Sequence, residues 1–418
     1  MSFRTALTGL NAANADLGVI SNNIANNNST GFKASRAEFA DLYTSDPLRS
    51  TASGMPGSGV KLAAVSQQFK QGSITSTGNP LDLAIDGGGF FRLSDNGSVS
   101  YTRAGSFGVD REGFLVNNRG MRLTGFQSDA AGGVTQTLGD LKLATGALSP
   151  RITTEAQYGL NLDAEAPAID TATFPFDPAN PDSYNFTTSV TVFDSLGASH
   201  TLSSYFVKPD AAANDWEVHF TLDGGVPFDT TATPPTPTTY GPQPLSFDNA
   251  GILTGTGVIN LTGVVTGNAA ANLDLTLDFS ETTQFGGQFA TNSLVQDGYS
   301  SGRLTGMDVG EDGTLFGRYS NGQSQVLGQL ALVNFQNTQG LRPVGDTAWV
   351  ETFASGAPLL GAPGTGSLGV VRSGTLESST VELTEELVNM INAQRNFQAN
   401  AQVISTADSL TQTIINLR

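Results

Sequence analysis

The residues best equipped for chemistry are Asp194, Ser195 and His200, which fall together in AspSerLeuGlyAlaSerHis at 194–200. An acid, a hydroxyl and an imidazole are a hydrolase's ingredients, but a catalytic triad is assembled by geometry from distant segments. Here they lie between two strand-like runs, where Asp, Ser and Gly read as a hairpin turn. His200 and His219 are the chain's 2 histidines, and no ligand spacing accompanies them, so ordinary strand positions are expected rather than a metal site. GlyGlyGly at 87–89 follows LeuAspLeuAlaIle, yet neither a helical pattern nor a Lys nor Gly-x-Gly-x-x-Gly continues it, which predicts a tight turn into Phe90 and Phe91. GlySerGlyValLys at 57–61 lacks phosphate-loop spacing, and AspValGlyGluAspGly at 308–313 has the composition of a calcium loop without its ligand ladder. Acceptor patterns for glycosylation at Asn28, Asn185 and Asn260 are expected by chance in a Thr-rich chain. Cysteine is absent, which removes thiolate nucleophiles, zinc thiolates and disulfides. The expectation is a protein with no catalytic, metal or cofactor-binding residue, and therefore not an enzyme.

The elements that carry these residues point to architecture instead of catalysis. At 418 residues the chain exceeds one ordinary core, and about two to four domains are expected. A formal charge of −18 disfavours nucleic acid, whose binding needs cations to displace counterions, and disfavours anionic membrane surfaces. The start, MSFRTALTGLNAANADLGVI, has no continuous apolar run, so neither a cleaved secretory signal nor a membrane span is expected. With 49 glycines and only 14% charged residues, the composition fits short strands joined by tight turns.

The two ends break that texture. Ala6, Leu10, Ala13, Leu17, Ile20 and Ile24 recur at spacings of four and three, a coiled-coil-like seam that Phe3 and Leu7 widen. From about Glu377 to Arg418 no Gly or Pro occurs. There Leu383, Leu387, Met390, Gln394, Phe397, Ala401 and Ile404 follow a heptad, and Val403, Ala407, Leu410, Ile414 and Leu417 continue it in shifted register. Ser378, Ser379 and Thr380 supply capping hydroxyls and Glu382 and Glu385 acidic first-turn residues, so one long helix of about 38 residues is expected there. Between the ends, AspArgGluGly at 110–113, GluAspGly at 311–313 and SerAsnGly at 320–322 mark hairpins, and ThrAlaThrProProThrProThrThr at 231–239 marks an exposed loop.

The fold class expected is mainly β with terminal α-helices: a nested multidomain chain whose end helices pair as a coiled-coil-like core around a discontinuous β domain that itself holds an inserted outer β domain. The boundaries expected are a helical core domain at 1–28 and 376–418 and a loop-rich connector at 29–71. An inner β domain is expected at 72–148 and 299–375, with the insert at 149–298. An isolated helix of about 20 residues is marginal in water. Packing each large seam residue returns about 1.5–3 kcal/mol, so helices this amphipathic call for partners. The amides along both of them, among them Asn22, Asn23 and Asn26, suit a wet helix-to-helix contact that fixes register.

Three separated motifs then carry a resemblance. AsnAsnIleAlaAsn at 22–26 with ThrGlyPheLys at 30–33, ThrGlyAsnProLeuAspLeuAlaIleAspGlyGlyGlyPhePhe at 77–91, and LeuValAsnMetIleAsnAlaGlnArgAsnPheGlnAlaAsnAlaGlnValIle at 387–404 resemble the bacterial flagellar axial proteins of the rod and hook. ValThrValPheAspSerLeuGlyAlaSerHis at 190–200, the length and the insert point to the hook branch of that family, with a distal-rod or junction protein, or a secreted β-rich adhesin, as alternatives.

The resemblance implies a structural subunit that assembles with itself into a flexible tube, a universal joint carrying torque from rod to filament. It implies rod, hook-cap and hook–filament junction proteins as partners, with export through the flagellar type III apparatus to an extracellular location without membrane insertion. It also implies that Leu7, Leu10, Ala13, Leu17, Ile20 and Ile24, with Leu383, Leu387, Met390, Phe397, Ile404, Leu410, Ile414 and Leu417, are the assembly residues. Asn22, Asn23, Asn26, Gly31 and Phe32 would end the first helix and turn the chain outward, the asparagines by adopting left-handed backbone and capping the last carbonyls. Phe3 and Leu7 are similar to the family's export-gate pattern.

Overall fold

The computed structural model describes residues 2–42, 57–129, 132–143, 146–210, 214–225, 242–264, 266 and 270–416. The Pro- and Thr-rich stretch at 231–239 lies outside them. The chain forms two compact units, one of Met1–Thr145, Gly306–Arg318 and Ser324–Arg418, the other of Gly146–Thr305 and Tyr319–Gln323. The class is mainly β with a helix at each end, and the two helices pack on one another.

The second unit is built from two five-stranded sheets. In one, Glu155–Asp163 lies centrally, parallel to Leu273–Asp278 and Thr283–Phe285 and antiparallel to Ala290–Gln296. The other is a meander of Phe186–Phe193, Ser199–Val207, Asp215–Leu222, Gln243–Phe247 and Leu253–Thr254. Period-2 alternation decides which face turns inward. Trp216, Val218 and Phe220 from one sheet meet Tyr158, Leu277 and Phe279 from the other in a single apolar core, and Tyr158 stacks on Phe279 at 4.4 Å between centroids.

The first unit interleaves strands from 90–140 and 304–361 in a 13-stranded sheet. The turn signals fall where strands reverse: Gly113, Gly313 and Gly322 take positive φ of 88°, 76° and 80°. GlyGlyGly at 87–89 is the tight link between Leu83–Asp86 and Phe90–Asp95. Three two-stranded pairs complete this unit. Ser35–Asp41 pairs with Val60–Gln67, so the stretch expected as a loop-rich connector contains a β pair. Ile74–Ser76 pairs with Thr375–Glu377, and Leu83–Asp86 with Val370–Ser373.

Helix α1 is Ser2–Ala25 and helix α2 is Leu383–Asn416. Helix α2 thus begins just past the hydroxyls at 378–380, and the residues ahead of them are strand. Strand pairing claims 375–377 and buries Glu377 completely. The capping hydroxyls are engaged elsewhere, Thr380 Oγ1 accepting from Ala34 N at 2.9 Å, while Glu382 O receives the first helical bond from Glu386 N at 3.0 Å.

Candidate assembly site

The end helices run antiparallel. Asn23 Nδ2 donates to Glu386 Oε1 at 2.9 Å, and 14 residues back along α1 a Cβ on Gly9 would stand 2.6 Å from Oδ1 of Asn400, 14 residues further along α2. Small residues allow this approach: Ala6 and Ala13 of α1 and Ala393 of α2 are buried. Ile20 is buried with them, and Leu10, Leu17 and Ile24 are half-buried. Phe3 and Leu7 remain 49% and 43% exposed.

On α2 the face toward α1 follows Glu386, Met390, Ala393, Phe397, Asn400 and Ile404, all buried or half-buried. Of the heptad positions, Met390, Phe397, Ala401 and Ile404 are half-buried, whereas Leu383, Leu387 and Gln394 are exposed. Leu383, Leu387 and Leu410 are 43%, 46% and 60% exposed, joined by Val388, Ile391 and Val403. The Ile414 side chain and Leu417 fall outside the described residues. One chain thus satisfies one stripe of α2 and leaves a second, apolar one bare.

The turn after α1 differs from expectation in how it is made. Asn22 and Asn23 are still helical, and among the described residues none of the asparagines at 22–28 takes positive φ. Asn26, the first residue past the helix, donates from Nδ2 back to Asn22 O at 2.9 Å and so caps a final carbonyl. The left-handed residue is Gly31, with φ of 69°, where a Cβ would lie 2.5 Å from Ala104 N. Phe32 is half-buried and its carbonyl accepts from Thr380 N at 3.1 Å.

Asn23 is 1% exposed and has a larger role than stopping a helix. Besides Glu386 it bonds Ser35 through both amide atoms, Nδ2 to Ser35 O at 2.8 Å and Oδ1 from Ser35 N at 2.9 Å. It thereby ties α1, α2 and the first strand together. Burial raises the Glu386 pKa against the Asn23 bond, with Glu385 and Asp16 adding to the rise, and burial raises Asp16 as well. Both line a polar cleft of about 560 Å³ beside the helix pair.

Sequence reasoning missed a second buried group. Glu377 Oε1 lies 2.6 Å from Lys33 Nζ, and its Oε2 lies 3.2 Å from Arg103 Nη1. Burial pushes both cations toward lower pKa and Glu377 opposes that shift in each case. Lys33 closes a motif visible in sequence, but no local spacing links it to Arg103 or Glu377.

The hydrolase-like residues separate. Asp194 and Asp223 flank His200, with Asp223 Oδ2 2.7 Å from Nδ1 and Asp194 Oδ2 3.4 Å from Nε2. Ser195 Oγ instead accepts from Ala271 N at 2.9 Å. With both ring nitrogens held by carboxylates, His200 fastens two turns and has no nitrogen free to activate a hydroxyl. Among the described residues no cluster of three or more His, Asp or Glu is disposed to hold a metal, and no helix is long and apolar enough to cross a membrane.

Comparison with known proteins fits this geometry. Residues 3–33 match the family described as flagella basal body rod protein, and 84–163 match the flagellar hook protein FlgE/F/G D1 domain. Residues 161–299 match the flagellar basal body protein FlaE D2 domain, and 372–417 the flagellar basal body rod FlgEFG protein C-terminal. The chain is 42% identical to flagellar hook protein FlgE of Salmonella typhimurium over 425 residues, and 41% identical to that of Escherichia coli over 424, covering 100% of both chains each time. In fold it is similar to the crystal structure of Helicobacter pylori flagellar hook protein FlgE2, with a TM-score of 0.55 at 17% identity, covering 73% of this chain and 100% of that one. Identity of this extent over the full length, together with terminal helices left half-satisfied in a single chain, establishes that the protein belongs to the flagellar hook protein family.

Proposed function

We propose that this chain is the structural subunit of a flagellar hook and that its terminal helices hold the assembly together by packing against those of other copies. The observation that carries this is the bare apolar stripe on α2, including Leu383, Leu387, Val388, Ile391 and Leu410. Covering each such side chain returns about 1.5–3 kcal/mol, enough in sum to outweigh the ordering of a helix pair. Leu7 and Phe3 on α1 add to the surface offered, and Phe3 with Leu7 remains the candidate export signal.

In this reading residues 1–28 and 376–418 form the tube's core and 29–71 the connector. Residues 72–148 and 299–375 form a middle shell, and 149–298 an outer one whose Gly- and Thr-rich surface makes wet contacts that slide as the tube bends. The role is mechanical, with no chemical step. Rod, hook-cap and hook–filament junction proteins are the partners, and delivery is through the flagellar export apparatus to the outside of the cell.

Deleting 383–418 tests this. The cut falls after Glu377, so the buried ion cluster stays intact. Electron microscopy of the shortened protein is expected to find no tubes while both β units keep their fold by circular dichroism. Tubes formed by the shortened chain would overturn the helix-based assembly.

A further inference from the structure

Lys33, Glu377 and Arg103 bring together segments 344 and 274 residues apart in sequence, and their side chains are 1%, 0% and 6% exposed. The carboxylate accepts from Lys33 Nζ, from Gly72 N at 2.8 Å and from Arg103 Nη1, while the backbone oxygen of Glu377 accepts from Gly31 N at 2.9 Å. Lys33 Nζ also donates to Lys70 O at 2.6 Å, and Arg103 Nη2 to Gly87 O at 2.7 Å. Glu377 is the only carboxylate bonded to either cation among the described residues. Two positive charges are thus buried on one negative charge. Without it, both would have to leave water uncompensated, which strongly disfavours closure.

The strand pairing repeats this dependence on the late segment. Ile74–Ser76 has Thr375–Glu377 as its strand partner, and Leu83–Asp86 has Val370–Ser373. Asp86 and Arg372 reinforce the latter pair at 2.7 Å. The stretch from the exit of α1 to Arg103 therefore waits, in both hydrogen bonding and charge, for residues 370–377.

We propose that the Glu377 carboxylate is a closing switch for the first unit. Until its strand is laid down, the segments bearing Lys33 and Arg103 stay apart with both cations in water, and its arrival buries all three groups at once. Since Gly31 binds the Glu377 backbone and α2 starts six residues later, the same event fixes the exit of α1 and the entry of α2. This goes beyond the assembly reading and does not depend on it.

The chain's 2 tryptophans make the test direct, because Trp349 lies in the first unit and Trp216 in the second. In the full chain, Trp216→Phe leaves Trp349 to report the first unit, and Trp349→Phe leaves Trp216 to report the second. Glu377→Gln is expected to lower the folded-to-unfolded ratio of the first unit about a hundredfold or more in urea titrations, the cost of stranding a buried charge. The Trp216 transition should not move. Replacing all three groups by Met (K33M/R103M/E377M) is expected to restore the Trp349 transition, because no charge then remains to bury. A triple variant no more stable than Glu377→Gln would overturn the switch, and so would a Glu377→Gln chain whose Trp349 transition is unchanged. Where Glu377→Gln fails to fold at all, recovery in the triple variant still decides in favour and its absence against.

Discussion

His200 and His219 lie on neighbouring strands of one sheet and respond to pH in opposite senses. Burial lowers the His219 pKa to about 4, its ring lying against Phe176 at 4.1 Å. Its folded pKa is below its unfolded one, so the stability it contributes is present above about 6.5 and is lost as pH falls toward about 4. For His200, burial also disfavours the charge, but Asp223 and Asp194 outweigh it and raise the pKa above 6.5. Its contribution is present below 6.5 and is lost as pH rises through the folded value. The Trp216 urea midpoint should therefore peak near pH 6.5, with His219→Phe flattening the acid side and His200→Gln the alkaline side. A midpoint that rises steadily from pH 4.5 to 8.5 would contradict this assignment. The sequence singled out both histidines and denied them catalysis. It set Asp194 in the same turn motif as His200 but did not reveal Asp223, which reaches His200 only through strand pairing.

At the scale of elements, the helix ends and the helix faces have different origins. Periodicity placed both helices, because a 3.6-residue repeat survives any context. It did not show that Glu377, at the head of the same Gly- and Pro-free run, is drawn into a strand by partners that local pattern does not contain. It read Ala6 and Ala13 into the seam of α1 but not Gly9 or Ala393, which also lie where the pair closes. Close approach needs small side chains and leaves large ones for other partners. Gly9→Leu should wedge the helices apart at Asn400, and we expect that variant to lose tube formation in electron micrographs while the Trp349 and Trp216 transitions stay within about 0.5 kcal/mol of the parent, as for changes remote from both cores.

For the whole molecule, nesting sets the folding logic. The second unit is almost one continuous stretch, Gly146–Thr305, whereas the first is assembled from three separated pieces. Each has its own apolar core, so damage to one should spare the other. Phe279→Ala removes a fully buried ring from the second core and should cost about 3–5 kcal/mol there. The expected reading is a lower urea midpoint for Trp216 with that of Trp349 unchanged, and equal shifts in both would mean that the units unfold as one.

By itself the sequence determined the two amphipathic ends, the β-rich middle with its turns, and the absence of a cysteine framework, because each follows from local periodicity or composition. The tertiary structure alone decided that Asn23 clasps three elements, that Gly31 instead of an asparagine takes the left-handed turn, and that Glu377 joins Lys33 to Arg103. Those outcomes depend on which distant groups share a buried site. Burial energies of that kind are set by three-dimensional neighbours and leave no period in the chain.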